Sequence, residues 1–333
     1  QQQCIATGKL LAQALHLRDD QYQVCFQSRF GRAQWIKPYT SDVLTELGQQ
    51  KTGRIDVICP GFVGDCLETL EEIALTKAGI IKPETHVVLA AQEPSVAKIL
   101  LERVAQKSAI PYREGIEFAV AKRDLAVGGQ LISIQGIYGT YQDIYIPLYG
   151  AHQSSNAAVA LATVEAFVGQ KISDEIVNEA FASVTSPGRF EILHRDPTVI
   201  IDAAHNPHGA KALAATIKNE FDFESLFGVI AVLADKDARG ILEALESSIS
   251  RIVVTENKSE RALSKEKLFE IAKEIFGTER TFMESDLQSA VTYAMEQATL
   301  LNQVSEGSHA VLITGSVITV GEAKKIVNKI GSK

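Results

Sequence analysis

Short apolar runs at 198–201, 227–233, 251–255 and 310–314 alternate with stretches at 240–248, 265–276 and 287–300 whose apolar residues recur at helical spacing. Runs without strict polar alternation fit strands covered on both faces, and the intervening amphipathic stretches provide the cover. Residues from 198 to the C-terminus therefore read as a doubly wound α/β domain. Ligands of such sheets sit beyond the carboxyl ends of the strands. Three polar segments follow apolar runs there: D-A-A-H-N-P at 202–207, A-D-K-D at 234–237 and T-G-S at 314–316.

Upstream, the pattern predicts helices over 154–168 and 173–183. The second ends just before Ser186, Pro187 and Gly188, a turn signal that marks a domain boundary. Between 82 and 149 it predicts strands at 87–90, 131–134 and 144–146 and a helix over 95–106. The first part reads as a helix over 5–15, strands at 22–26 and 55–59, and a helix from about Asp65.

Composition narrows the function classes. The 333 residues are 46% hydrophobic and 22% charged, an ordinary globular balance rather than a disordered one. A net charge of −8 argues against a sequence-independent grip on nucleic acid or anionic membrane, which needs a basic field. No apolar run reaches the roughly 18 residues of a membrane span. No basic start, apolar core and cleavage site is visible at the N-terminus either, so the cytoplasm is the expected location. The chain begins with Gln1, which suggests further residues upstream. Cys4, Cys25, Cys59, Cys66 and the single tryptophan, Trp35, all fall in the first 66 residues, a step that suggests segments of different origin. Their spacing lacks the short pairs of a zinc site and reads as reduced thiols.

Arg189, Asp202 and His205 form the most suggestive constellation. Arginine offers a planar fork for phosphate, Asp202 can accept from ribose hydroxyls, and His205 can bond a phosphate oxygen. Each also has a plain structural alternative: a surface ion pair, a cap for a helix beginning near Pro207, and a loop imidazole. Neither G-x-x-x-x-G-K-[ST] nor G-x-G-x-x-G occurs, so any nucleotide site encoded here is incomplete by itself.

Six motifs in order add a resemblance: K-A-G-I-I-K-P at 77–83, H-Q-S-S-N at 152–156, P-G-R-F-E at 187–191, D-A-A-H-N-P, A-D-K-D, and T-G-S ahead of V-G-E at 320–322. Residues 73–333 resemble the folylpolyglutamate synthase and dihydrofolate synthase family, a branch of the Mur ligases. The resemblance implies an incomplete central, ATP-binding domain without its phosphate loop at 74–185, then a Rossmann-like glutamate-ligase domain at 186–333. It implies that ATP phosphorylates a carboxylate of folate or dihydropteroate and that the amine of L-glutamate displaces the phosphate. Asn156, Arg189, Asp202, His205 and Ser316 would contact ATP. Lys77, carbamylated, would be a catalytic residue and an oxygen ligand of Mg²⁺, chemistry that suits a migrating phosphoryl group. On position alone Lys77 reads as a solvated lysine at a helix end. Phe62 stands where the family carries a metal-binding histidine.

Residues 1–73 are similar to the carboxyl-terminal part of the ferrochelatases, through F-Q-S-R-F-G-R at 26–32, Trp35, P-Y-T at 38–40 and C-P-G-F-V-G-D-C-L-E-T-L-E-E at 59–72. That likeness implies a partial α/β segment, with Glu68 as an active-site carboxylate and Trp35 as a wall of the porphyrin pocket. Asp65, Glu68 and Glu72 share one helical face, suited to guiding protons or a divalent cation, or simply a solvated acidic face. The two resemblances meet in E-T-L-E-E-I-A at 68–74, which can form one continuous helix. The expected function is an ATP-dependent amide ligase impaired by the missing phosphate loop. Iron insertion into protoporphyrin and a non-catalytic chimeric remnant are the alternatives.

Overall fold

A computed structural model describes residues 77–330 and, before them, residues 9, 12, 17, 18, 22–24, 43 and 46. The chain divides into two compact units, Gln1–Ile58 and Cys59–Lys333. Glu68, Trp35, Phe62, the four cysteines, the strand expected at 55–59 and the helix expected from about Asp65 lie outside the described residues, as do most positions of the first helix; of the strand expected at 22–26, residues 22–24 are described and are not in a strand.

The described part of the second unit opens with Lys77 and Ala78 in a helical turn, whose carbonyls accept from Ile80 and Ile81 at 3.1 Å. Strand β1 (His86–Leu89), helix α1 (Pro94–Gln106) and strand β2 (Ile110–Arg113) follow, with β1 and β2 paired in parallel. Proline at the start of α1 fits a position whose N–H has no helical partner. An antiparallel meander comes next: β3 (Ala119–Ala126), β4 (Gly129–Gln135) and β5 (Thr140–Ile146). The β3 to β4 turn consists of Val127 and Gly128, and Gly128 has φ +81°. Helix α2 (Ala151–Val168) lies on β1, β3 and β4, and α3 (Asp174–Ala182) packs against β5. Their shared core is built around Phe118, Ile134, Tyr141 and Leu161.

Beyond Gly188 the chain forms a six-stranded sheet from β6 (Glu191–Arg195), β7 (Thr198–Ile201), β8 (Ser225–Ile230), β9 (Arg251–Val254), β10 (Thr281–Met283) and β11 (His309–Thr314). The order is β10-β9-β8-β11-β7-β6, and all neighbours are parallel except β6 with β7. Helices α4 (Pro207–Glu220), α5 (Ala238–Leu245) and α6 (Lys265–Phe276) cover one face, while α7 (Leu287–Val304) and α8 (Val317–Ile330) cover the other. Strand residues divide between the faces by alternation: Ile200, Ile230, Leu312 and Val254 look toward α4 to α6, while Val199, Val229, Ile313 and Val253 look toward α7 and α8. Burial on both faces explains why these runs are continuously apolar. The architecture is the α/β, doubly wound one expected from the pattern.

Several boundaries differ from the expectation. The strand expected at 227–233 pairs over Ser225–Ile230; Ala231 and Val232 remain fully buried but lie past the pairing with β11, which ends at Thr314. Strands β3, β6 and β10 carry little apolar pattern, since β3 holds Lys122, Arg123 and Asp124 and the other two are sheet edges.

Candidate nucleotide site

Strands β7, β11 and β8 are adjacent, so the segments after them converge. The Asp202 N–H still donates to Ile313 O on β11 at 3.0 Å, extending the sheet by one residue. Its side chain then turns back: Oδ2 accepts from Phe190 N and Oδ1 from Ala204 N, both at 2.8 Å. Only 8% exposed, the carboxyl is pushed above its usual range by burial. The two amide donors, and the positive charges of Arg189 and His205, pull it back. Asp202 thereby fastens the loop after β7 to the turn before β6. That turn is tight, with Gly188 at φ +77° and Phe190 at φ +43°, and Gly188 O accepts from Ala203 N at 2.8 Å. Between them Arg189 is half-buried. Glu191 steadies the turn by accepting from Gly188 N at 2.8 Å and pairing with Lys324 on α8 at 2.5 Å.

His205 Nδ1 lies 2.9 Å from Ala203 O, so Nδ1 carries a proton and, in the neutral ring, Nε2 is an acceptor. Holding a phosphate oxygen would require the protonated ring. Asn206 caps α4, its Oδ1 accepting from Gly209 N at 2.7 Å. Its Nδ2 is buried and without a protein partner.

Ser316 is committed to the fold. Its hydroxyl accepts from Thr319 N at 3.0 Å and from Asn257 Nδ2 at 3.3 Å, and it lies 2.8 Å from Thr319 Oγ1, which donates to Ala231 O. At 2% exposure the side chain is an interior cap for α8. Gly315 N donates to Ala204 O at 3.1 Å, joining this loop directly to the Asp202 loop.

Asn156 stands on α2, half-buried, donating to Gln153 Oε1 at 3.2 Å. Four residues earlier, His152 is pushed down to about 4, first by burial and then by the charges of Arg189, Arg123 and His208. Just ahead of α2, the Tyr149 ring lies 5.4 Å from that of Phe190, so the start of α2 adjoins the turn before β6. Arg189, Asp202, His205 and Ser316 thus gather at one edge, with the start of α2 opposite.

Lys77 is exposed in its helical turn. No three His, Cys, Asp or Glu side chains among the described residues stand close enough to share a metal ion. The described residues therefore do not fit an Mg²⁺ site around Lys77. Also among the described residues, no helix is long and apolar enough to cross a membrane. Sequence reasoning passed over Asn257, Glu191 and His152. His152 and Glu191 carried a signal, as the first residue of the H-Q-S-S-N motif and the last of P-G-R-F-E, whereas Asn257 lies in no motif.

Comparison with known proteins places this geometry in a class. Residues 188–317 match the family described as Mur ligase, glutamate ligase domain, and residues 1–108 match the ferrochelatase family. A dihydrofolate synthase/folylpolyglutamate synthase of Mycobacterium tuberculosis is 45% identical over 273 residues, covering 77% of this chain and 56% of that protein. The solved structure of the M. tuberculosis folylpolyglutamate synthase complexed with ADP and AMPPCP matches 80% of this chain and 61% of that one, with a TM-score of 0.76 and 45% identity. A ferrochelatase of Nitrosomonas europaea is 73% identical over 73 residues, 22% of this chain and 20% of that enzyme. Most of the chain is homologous to the folylpolyglutamate and dihydrofolate synthase branch of the Mur ligases, and its N-terminal segment to ferrochelatases. It spans about half the length of the first relative and a fifth of the second.

Proposed function

We propose that the second compact unit binds an adenine nucleotide at the carboxyl edge of β7, β11 and β8, against the start of α2. The chemistry it is built for is ATP-dependent joining of L-glutamate to folate or dihydropteroate through an acyl phosphate. The observation that carries this reading is the Asp202 carboxyl, fixed by Phe190 N and Ala204 N against the turn that carries Arg189. Each Asp202 oxygen accepts one amide and keeps a lone pair for a ribose hydroxyl, while Arg189 is placed for phosphate. His205, its ring oriented by Ala203 O, borders the phosphate position, and Asn156 closes the site from α2. Ser316 acts by shaping the loop rather than through its buried hydroxyl.

The phosphate-loop motif does not occur in the 333 residues, and ferrochelatase-like sequence precedes the ligase-like part. This chain alone would therefore bind nucleotide through one wall and turn over poorly or not at all. Lys77 as a carbamylated Mg²⁺ ligand belongs to the complete family site and draws no support from the residues described. Iron insertion, with Glu68 as its carboxylate, rests on a match to a fifth of those enzymes. Folate- and glutamate-dependent release of ADP tests the ligase chemistry, and zinc insertion into protoporphyrin tests the alternative. A background rate in the first assay is expected from this chain; vigorous turnover would refute the impairment, and zinc insertion would restore the ferrochelatase reading.

A further inference from the structure

The two halves of the second unit meet at Tyr149 and Gly150, just ahead of α2. The Tyr149 ring lies 5.4 Å from that of Phe190 and 5.2 Å from that of Phe221, which follows α4. Gly150, at φ +97°, sits so close to α4 that a Cβ would lie 2.7 Å from Thr216 Oγ1. Its N–H donates to both carboxylate oxygens of Glu220, the last residue of α4, at 3.0 and 3.1 Å. The Glu220 side chain, 3% exposed, also pairs with the Arg123 guanidinium on β3. Arg123 Nε donates to Gln130 Oε1 on β4, and Gln130 Nε2 donates to Leu148 O at 3.0 Å and to Gly150 O at 3.2 Å. Ser154 on α2 donates to the same Gln130 oxygen at 2.9 Å.

Both polar groups of Gly150 are therefore held, the N–H by the C-terminal domain and the carbonyl by the meander. A buried carboxylate that loses its partners is strongly destabilising, so Glu220 favours one register of α2 against α4 over all others. The 14 residues of α4 run about 20 Å from Glu220 to the Asp202 loop, so a small tilt at the joint displaces the nucleotide-facing end. Neither Glu220 nor Arg123 belongs to the gathered site itself.

We infer that Glu220 and Arg123 are a positioning pair that sets the angle between the two sides of the nucleotide cleft, α2 on one side and the β7, β11 and β8 loops on the other. The functional consequence rests on the nucleotide reading above; the joint rests on geometry alone.

The test compares the whole wild-type chain with Arg123→Ala, Glu220→Gln, the double variant and Arg280→Ala. The last breaks a different ion pair, with Glu246, remote in sequence from the joint. AMPPCP binding is measured by calorimetry, and amide exchange over 151–156 and 203–209 by mass spectrometry. Arg123→Ala and Glu220→Gln should each weaken AMPPCP binding about tenfold, as the competent fraction falls, with faster exchange in both segments. The double variant should add little, because the two changes remove one interaction, and Arg280→Ala should leave the affinity unchanged. Unchanged affinity in both joint variants, or an equal loss in Arg280→Ala, overturns the inference while leaving nucleotide binding intact. If the wild type binds no AMPPCP, the nucleotide reading fails and exchange alone decides. Faster exchange in both segments then supports the joint, and unchanged exchange overturns it.

Discussion

His152 shows how much chemistry at the residue scale depends on neighbours far away in sequence. Burial and the charges of Arg189, Arg123 and His208 hold it at about 4, below its ordinary 6.5, so the folded chain keeps the ring neutral. As pH falls, the unfolded chain takes up this proton first. The stability contributed by neutral His152 is therefore complete above about 6.5 and is lost as pH falls toward about 4. Asp202, pushed upward, contributes with the opposite sign, but it is present in both proteins when wild type is compared with His152→Asn. Melting temperature should fall less steeply for His152→Asn than for wild type across that window, and parallel curves would contradict the assignment. The sequence disclosed Arg189, Asp202 and His205 because each follows a strand or a boundary turn. It offered Asp202 as a cap for α4, a place that Asn206 takes, and could not disclose that Asp202 holds Phe190 N and Ala204 N or that Ser316 caps α8, because residue type does not say which partner a lone pair meets.

Among elements, the junction of β11 with α8 is the most constrained. Gly315 has φ +109°, and a Cβ there would lie 2.6 Å from Ala231 O, a backbone atom that cannot move aside. Six residues on, Gly321 sits in exposed helix, and a Cβ added there would meet nothing within 4 Å. Gly315→Ala should cost at least about 1–3 kcal/mol, from strained φ alone. Gly321→Ala should instead gain about 0.5–1 kcal/mol from helix propensity. Urea denaturation of both variants checks the pair, and equal shifts would contradict the packing described. Elements with continuous apolar runs or strong amphipathic spacing were readable directly: β7 at Thr198–Ile201 and α6 at Lys265–Phe276 coincide with the expectation. Strand β3 was not, because its identity comes from pairing with β4, which charged residues on its outer positions tolerate.

At the scale of the whole molecule, the composition step at residue 66 and the two sets of motifs signalled a chain of two ancestries, and the comparisons agree with both. Polar segments directly after apolar runs also indicated which loops border a ligand in a doubly wound sheet. What stayed hidden was the joint around Gly150, since Arg123, Gln130 and Glu220 belong to no motif and meet only through folding. The central claim is that the C-terminal sheet edge and α2 still form a nucleotide-binding surface without turnover of their own. Calorimetric titration of the whole chain with AMPPCP, beside Arg189→Ala, tests it most directly. The account predicts saturable heat for wild type and its loss in the variant; no saturable heat from wild type, or binding indifferent to Arg189, would contradict it.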